Sequence, residues 1–469
     1  MSAGSSGPCG AGIPAGVTGK MPVSHRKRYL IVGLGARAEL FVRAILNDYA
    51  DRAELVGLCD VNRTRMEYYN RRWVGHLGRQ GAGETPTPPL PTFTPDQFDR
   101  ALAEQRADCV IVTSIDRTHH RYTLRAMELG CDVITEKPMT IDAPRCQALL
   151  DGVRRTGRKL TVAFNYRYAP RNSQVRELLA AGVIGRVLSV HFEWLLDTRH
   201  GADYFRRWHR DKRNSGGLMV HKATHHFDLA NWWIGSVPQT VFGFGGLKFY
   251  GRENAEERGQ WRLYDRVHGR PQAQDDPFAL HLEQHDDLRE LYLSAEHEDG
   301  YLRDQSVFGD GISIEDDMAV LVRYASGATL SYHLTAYAPW EGYRVMFNGT
   351  QGRLELEVEE NSYVRGFEAA APRPAVSGRA VERETLARLL VRPHWRKAIE
   401  VALPQDSADG HAGGDARLLA AIFGEVAEPD PLERAATHID GAYSILTGIA
   451  ANQSFATGRP VNVGDLVTF

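Results

Sequence analysis

From Arg28 the chain alternates short unbroken apolar stretches with segments in which apolar residues recur every three or four positions. "RYLIVGLG" leads into a stretch carrying Leu40, Phe41, Ala44 and Ile45, and that into "ELVGLCD", a strand, helix, strand unit. Further apolar runs stand at "CVIVTS" (109–114), "DVITEKP" (132–138) and "KLTVAF" (159–164). Tyr122, Ala126 and Met127 mark a helix between the first two, and Gly130 closes it. Strands that do not alternate, interleaved with helices, predict a parallel sheet covered on both faces.

After about residue 165 the period changes. "VLSVHFEW" sets Leu188, Val190, Phe192 and Trp194 against Ser189, His191 and Glu193, the pattern of a strand with one buried and one open face. "MAVLVRYASGATLSYHL" repeats it as two strands around Ser326-Gly327, and "YRVMFNGTQGRLELEV" adds a hairpin around Asn348 to Gly352. The second half is therefore expected to hold a mostly antiparallel sheet, followed by a helix carrying Ala442, Ile445, Leu446 and Ile449. Stretches near 251–311 and 368–415 show no sustained period and read as insertions or lids. The expected organisation is a flexible tail over 1–27, a dinucleotide-binding domain over 28–164, and an α/β domain over 165–469 that contains both insertions.

The 469 residues are too many for one ordinary core, which agrees with two domains. Hydrophobic residues at 43% and charged residues at 25% place the chain among globular proteins. A formal charge of -3, with no basic block interleaved with aromatics, argues against nucleic acid as a partner. No apolar run reaches the roughly 20 residues of a membrane-spanning helix, so no membrane partner is expected. The Gly-, Ser- and Pro-rich N-terminus lacks the charged and apolar regions of a secretory signal. Cys9, Cys59, Cys109, Cys131 and Cys146 show no C-x-x-C spacing and read as reduced thiols, mostly in apolar runs, as suits the cytoplasm.

The first strand runs into "GLGARA", where Gly33, Gly35 and Ala38 fill the small positions of the G-x-G-x-x-G/A pattern. The glycines permit a tight turn and let backbone amides approach a pyrophosphate, while the third small residue packs on the sheet. Asp60 ends the next strand, where a carboxylate binds ribose hydroxyls and repels a 2′-phosphate. NAD is the expected cofactor, and nearby Arg63 leaves NADP open.

"HKATHHFD" (221–228) concentrates histidines, and on a continuous helix His221, His225 and Asp228 share a face at i, i+4 and i+7, while His226 points elsewhere. Two histidines at i, i+4 also have zinc-ligand spacing. The glutamate of H-E-x-x-H is absent, and nothing fixes the distance of His191, His200, His209 or His411, so no metal is assigned.

Glu136-Lys137-Pro138 at the end of the fifth strand resembles the E-K-P motif of the Gfo/Idh/MocA oxidoreductases. "TSIDRTHH" (113–120) resembles that family's T-x-P-x-x-x-H loop with Ile115 in place of proline, "NYRY" (165–168) its entry to the second domain, and "GGLMVHKATHHFD" its G-G-x-x-x-D-x-x-x-H-x-x-D helix. The resemblance spans nearly the whole chain apart from the tail and the two irregular stretches. It implies a Rossmann domain joined to an α/β domain whose large open sheet mediates homo-oligomers, and hydride transfer between a nicotinamide cofactor and a sugar or cyclitol. It puts Lys137 at the reacting oxygen, His225 at the family's catalytic histidine and His221 where aspartate is more usual, so His221 becomes a candidate second acid/base. Arg37, Thr113, Ser114, His119, Glu136 and Lys137 become candidate cofactor contacts beside the two glycines, Ala38 and Asp60. Lys137, Asn165, Arg167, His221 and His225 become candidate substrate contacts.

A secondary alcohol surrenders hydride only as a base removes its hydroxyl proton, a role suited to histidine or to a lysine with lowered pKa. The leading expectation is therefore an NAD(P)-dependent dehydrogenase or reductase acting on a hydroxyl of a sugar, glycoside or inositol. Two alternatives stand beside it: a redox-neutral glycosidase or epimerase that oxidises a ring carbon transiently, and a sugar or nucleotide sensor without chemistry.

Overall fold

The computed structural model describes residues 26–74, 88–365, 386–404, 413–425 and 430–469. The tail expectation falls almost wholly outside them, as do Cys9, His411 and most of the 368–415 stretch.

The apolar runs of the first half form β1 (Lys27–Val32), β2 (Ala53–Cys59), β4 (Cys109–Val112), β5 (Asp132–Thr135) and β6 (Leu160–Val162), joined by the short β3 (Thr92–Phe93). They pair in parallel in the order β3-β2-β1-β4-β5-β6. Leu30, Ile31, Val110, Ile111 and Val112 are all fully buried, which explains the missing alternation: helices cover both faces. The order reverses between β1 and β4, so the crevice beyond their carboxyl ends is the place where an open α/β sheet binds ligands.

The second sheet holds nine strands: β7 (Val187–Asp197), β8 (Pro238–Gly246), β9 (Asp317–Tyr324), β10 (Thr329–Ala338), β11 (Glu341–Gly349), β12 (Gly352–Asn361), β13 (Leu386–Pro393), β14 (Ile399–Val401) and β15 (Val461–Asn462). Their order is β14-β13-β12-β11-β7-β10-β9-β8-β15, with β7 and β10 parallel and the remaining described pairs antiparallel. Both expected hairpins are present, β9–β10 and β11–β12. One face packs on helices Ala223–Ile234 and His438–Thr457, and the other is open. Val190, Phe192 and Trp194 point inward, whereas Leu188 near the start of the same strand is exposed. His226 belongs to this core: its ring stacks on Trp194 at 3.9 Å and its Nδ1 lies 2.6 Å from the Tyr332 hydroxyl. It therefore turns away from the first domain, as its helical phase requires. Among the described residues no helix is long and apolar enough to cross a membrane.

The 251–311 stretch is built of short helices (Arg252–Glu257, Asp286–Leu291, Glu296–Asp299) and single turns, so its lack of a sustained period reflects many brief elements. Its last part lies across the Rossmann domain, against the helix Arg63–Tyr69 that follows β2.

Candidate active site

The carboxyl ends of β1, β4 and β5 and the helix pair Leu218–His221 and Ala223–Ile234 face one another across a cavity of about 550 Å³. Gly33, Gly35, Arg37, Asp60, Thr113, Ser114, His119, Glu136, Lys137, Asn165, His221 and His225 all line it. Fourteen residues were candidates for the site, and the structure brings these twelve together; Ala38 and Arg167 lie outside the lining.

The nucleotide end follows from backbone geometry. Gly33 has φ +91°, and a Cβ there would stand 2.3 Å from Ser114 Cα and N, so only glycine fits between β1 and the loop after β4. The Thr113 hydroxyl donates to the Gly33 carbonyl at 2.5 Å and pins the two loops together. Ala38 is fully buried beneath the loop, as a packing position should be. Asp60 accepts the Leu34 amide at 2.5 Å and the Asn62 amide at 2.8 Å. Burial raises its carboxyl, while those amides and the Arg65 guanidinium pull it back. A turn closed to a Cβ at Gly33, beside a carboxylate at the end of β2, fits a dinucleotide along Gly33–Arg37 with a ribose at Asp60.

Arg37 departs from its expected role. Its Nε is 2.5 Å from Glu136 and its Nη2 3.0 Å from Asp415, so it clamps the first domain to the helix Gly414–Phe423, and its charge is held by two carboxylates. Glu136 is correspondingly held by Arg37, not aimed at Lys137 Nζ. His119 braces the cradle: its ring nitrogens lie 2.7 Å from the Pro138 carbonyl and 2.9 Å from that of Ser114.

At the chemical end, Lys137 donates from Nζ to the His221 carbonyl at 3.3 Å, which joins the two domains at the reacting centre. Burial lowers its pKa to about 8; Asp116 and Glu136 oppose the fall, and Lys222 and Arg37 assist it. His221 Nδ1 lies 2.5 Å from Asp116 Oδ2, and both side chains are buried. Burial pushes the Asp116 carboxyl up against the pull of Lys137 and Arg207, and holds the His221 imidazole well below its usual range with help from Lys137, His209 and Arg207. The two form one hydrogen bond, whose donor is Nδ1 or Oδ2 according to the tautomer. A neutral ring whose Nδ1 donates to Asp116 presents Nε2 as a proton acceptor.

His225 lines the cavity with its ring 4.6 Å from that of Tyr166. Lys222, between the two histidines, is buried over the Trp194 ring at 5.3 Å, and burial lowers its pKa. The helix is interrupted at Lys222, so His221 stands on Leu218–His221 while His225 and Asp228 stand on Ala223–Ile234, and of the three only the histidines line the cavity. Asp228 lies beyond it and binds Arg167 by a two-pronged ion pair at 2.8 and 2.6 Å. Arg167, expected at the substrate, lies outside the cavity lining: its Nη2 also reaches Asp440 at 2.9 Å and its Nη1 the Glu433 carbonyl at 3.1 Å. Asn165 stays at the cavity, donating to Asp415 at 2.8 Å with its Oδ1 free of any partner among the described residues.

Sequence reasoning missed Asp116, Tyr204, Arg207 and Trp208, and took His209 only as a distant metal candidate. Asp116 stands within a quoted motif, where a carboxylate just past β4 was the available signal. Asp116, His209 and His221 offer ligand atoms within 4.8 Å of one another. The charges of Lys137, Arg207 and Arg303 bear on His209, so a dication would enter against a positive potential, and the trio is better suited to handling protons.

Two family models match the chain. "Oxidoreductase family, NAD-binding Rossmann fold" covers residues 27–164, and "Oxidoreductase family, C-terminal alpha/beta domain" covers 176–463. YteT of Bacillus subtilis (strain 168) is 34% identical over 465 residues, 94% of this chain and 98% of that protein. The D-glucoside 3-dehydrogenase of Escherichia coli (strain K12) is 25% identical over 235 residues, 50% of this chain and 62% of its own length. Among solved structures, the aldose-aldose oxidoreductase of Caulobacter crescentus complexed with glycerol shares the fold, with a TM-score of 0.57 at 18% identity, covering 93% of this chain and 100% of the other. The cradle and the lysine–histidine pair thus belong to a nicotinamide-dependent enzyme, and the chain belongs to the Gfo/Idh/MocA oxidoreductase family.

Proposed function

We propose that this oxidoreductase interconverts a secondary hydroxyl and a ketone on a sugar, glycoside or inositol, using NAD. A nicotinamide cofactor, when bound, takes or gives the hydride. The observation that carries the reading is the meeting of Lys137 from the nucleotide-binding half with His221 and His225 from the other half at one cavity that also holds Gly33, Gly35 and Asp60.

In the oxidation direction the neutral Lys137 amine accepts the hydroxyl proton, a task for which a pKa near 8 is matched. In reduction the ammonium returns that proton to the alkoxide oxygen. His221 Nε2 serves as the second proton acceptor, with Asp116 as a positioning residue that keeps the other proton on Nδ1. His225, expected as the principal base, is assigned to binding the reacting or an adjacent hydroxyl, because Asp116 fixes the proton of His221 instead. Tyr204 and Trp208 wall the cavity beside His221 with ring centroids at 5.5 and 6.0 Å, surfaces on which the apolar face of a sugar ring can lie.

NAD is favoured over NADP because the Asp60 carboxylate meets the ribose hydroxyls. The open face of the nine-stranded sheet carries exposed Phe244 and Leu321, which supports self-association through that sheet. The test is incubation with NAD and a panel of sugars, inositols and aryl glycosides, following nicotinamide absorbance and released aglycone. Net reduction of NAD supports the dehydrogenase; aglycone release without net reduction supports the redox-neutral route; binding without either overturns both.

A further inference from the structure

The last part of the 251–311 stretch bears on the nucleotide in a way the site residues do not explain. Residues 286–301 lie as a strap along the segment Val61–Arg65 that follows Asp60, the segment whose amides, hydroxyls and cations would surround a 2′-phosphate on the adenosine ribose. Several of those donors are already bound to the strap, while the Asn62 amide goes to Asp60 and the Arg65 amide to Asn62 Oδ1. Glu298 accepts the Arg63 amide at 2.6 Å, the Thr64 amide at 2.8 Å and the Thr64 hydroxyl at 2.5 Å. Asp299 holds the buried Arg65 guanidinium at 2.6 Å, which also stands 3.9 Å from Asp60. The exposed Arg63 side chain and the buried Arg65 Nη2 have no hydrogen-bond partner on the strap among the described residues.

Asp60, Asp299 and Arg65 all line the cavity, so a nucleotide held in the cradle would meet both acidic side chains. The strap is fixed in place by further bonds: the Ala36 amide donates to the Tyr292 hydroxyl at 2.9 Å, Asn62 Nδ2 to the Ala295 carbonyl at 2.8 Å, and Arg65 Nε to the Leu291 carbonyl at 3.3 Å.

We infer that this strap is the cofactor-selecting element of the enzyme: Glu298 and Asp299 consume the phosphate donors after Asp60 and add negative charge there, so the site takes NAD(H) and rejects NADP(H). The inference rests on the dinucleotide reading of the cradle. It assigns to the second domain a choice that Asp60 alone would leave to the first, because Arg63 and the already paired Arg65 stand against three carboxylates.

The test is direct binding of NADH and NADPH to the full chain, by nucleotide fluorescence or calorimetry, for the natural protein, Glu298→Gln, and Glu298→Gln with Asp299→Asn. The natural protein is expected to prefer NADH by on the order of a hundredfold. Each lost carboxylate should bring NADPH closer to NADH by roughly tenfold, the effect of one like charge a few ångströms away in a partly wet site. Added salt should narrow the natural preference and have less effect on the double variant. Equal affinity for the two nucleotides in the natural protein, or a preference undiminished by the double substitution, overturns the strap's role and leaves the cofactor reading intact. Failure of both nucleotides to bind the natural protein overturns that reading as well. Glu298→Gln keeps the shape and sits at the rim, so it preserves the test if the double variant does not fold.

Discussion

Substitution of Asp116 by Asn probes the proton chemistry most sharply, because this carboxylate touches His221 and bears on Lys137 at once. Burial brings Lys137 from 10.5 to about 8, a discrimination against its charged form of roughly 3 kcal/mol at about 1.4 kcal/mol per tenfold. Asp116 is the largest influence opposing that fall, so its neutralisation must lower Lys137 further. A nearby opposite charge shifts a pKa by about 1 to 3, and the low end applies to a carboxylate that is already hydrogen-bonded to an imidazole. Alcohol oxidation needs the neutral amine, so its kcat/KM at saturating cofactor rises with pH through the lysine's pKa and is lost below it. In Asp116→Asn that midpoint is expected to fall by about one pH unit relative to the natural enzyme, and comparing the two cancels the cofactor's own charge. The plateau should also drop on the order of tenfold to a hundredfold, since an amide can hold His221 with the proton on the wrong nitrogen. Initial rates on the best substrate of the panel, with thermal melts as a folding control, provide the assay. An unmoved midpoint with a normal melt would refute the coupling of Asp116 to Lys137.

Other consequences follow from named contacts. Lys137→Met removes the proton acceptor, so oxidation should fall by roughly 10² to 10⁴ and lose its rise with pH, as initial rates will show; a retained profile assigns the titration elsewhere. Gly33→Ala drives a Cβ to 2.3 Å from the Ser114 backbone, and loss of NADH binding with a lower denaturation midpoint is expected. Arg167→Met leaves Asp228 buried without its partner, which should cost roughly 3–5 kcal/mol in denaturant titration while the folded fraction keeps its substrate KM; a raised KM at unchanged stability would restore the substrate role. The natural protein is expected to be an oligomer, and Phe244→Glu with Leu321→Glu a monomer, by light scattering, since both side chains stand on the open sheet face.

The parallel sheet was legible because strands buried on both faces cannot alternate, and β7 and β9 to β12 because strands buried on one face must. β8 was not read: "PQTVFGFGG" ends in glycines, and its exposed Phe244 breaks the expected pattern. The cradle was legible because only glycine can occupy the turn at residue 33. The ion pairs of Arg167 were not legible because a charge at a strand end does not declare its partner, and Asp228 and Asp440 reach it from helices distant in sequence. The face expected to carry His221, His225 and Asp228 is divided at Lys222, with His221 on one helix and His225 and Asp228 on the next, since periodicity continues through a one-residue break that only backbone geometry displays. Asp116 and the strap escaped because their meaning lies in long-range pairing, Asp116 with residue 221 and Glu298 with residues 63 and 64.

The central claim is that hydride passes between substrate and nicotinamide at the junction of Lys137 and His221. A single-turnover mixing experiment, with NAD-loaded enzyme against substrate and nicotinamide absorbance followed in time, measures that step whether or not the enzyme later returns the hydride. The account predicts a burst approaching one reduced nicotinamide per active site, abolished in Lys137→Met; substrate conversion without any such burst, or an undiminished burst in that variant, would contradict it.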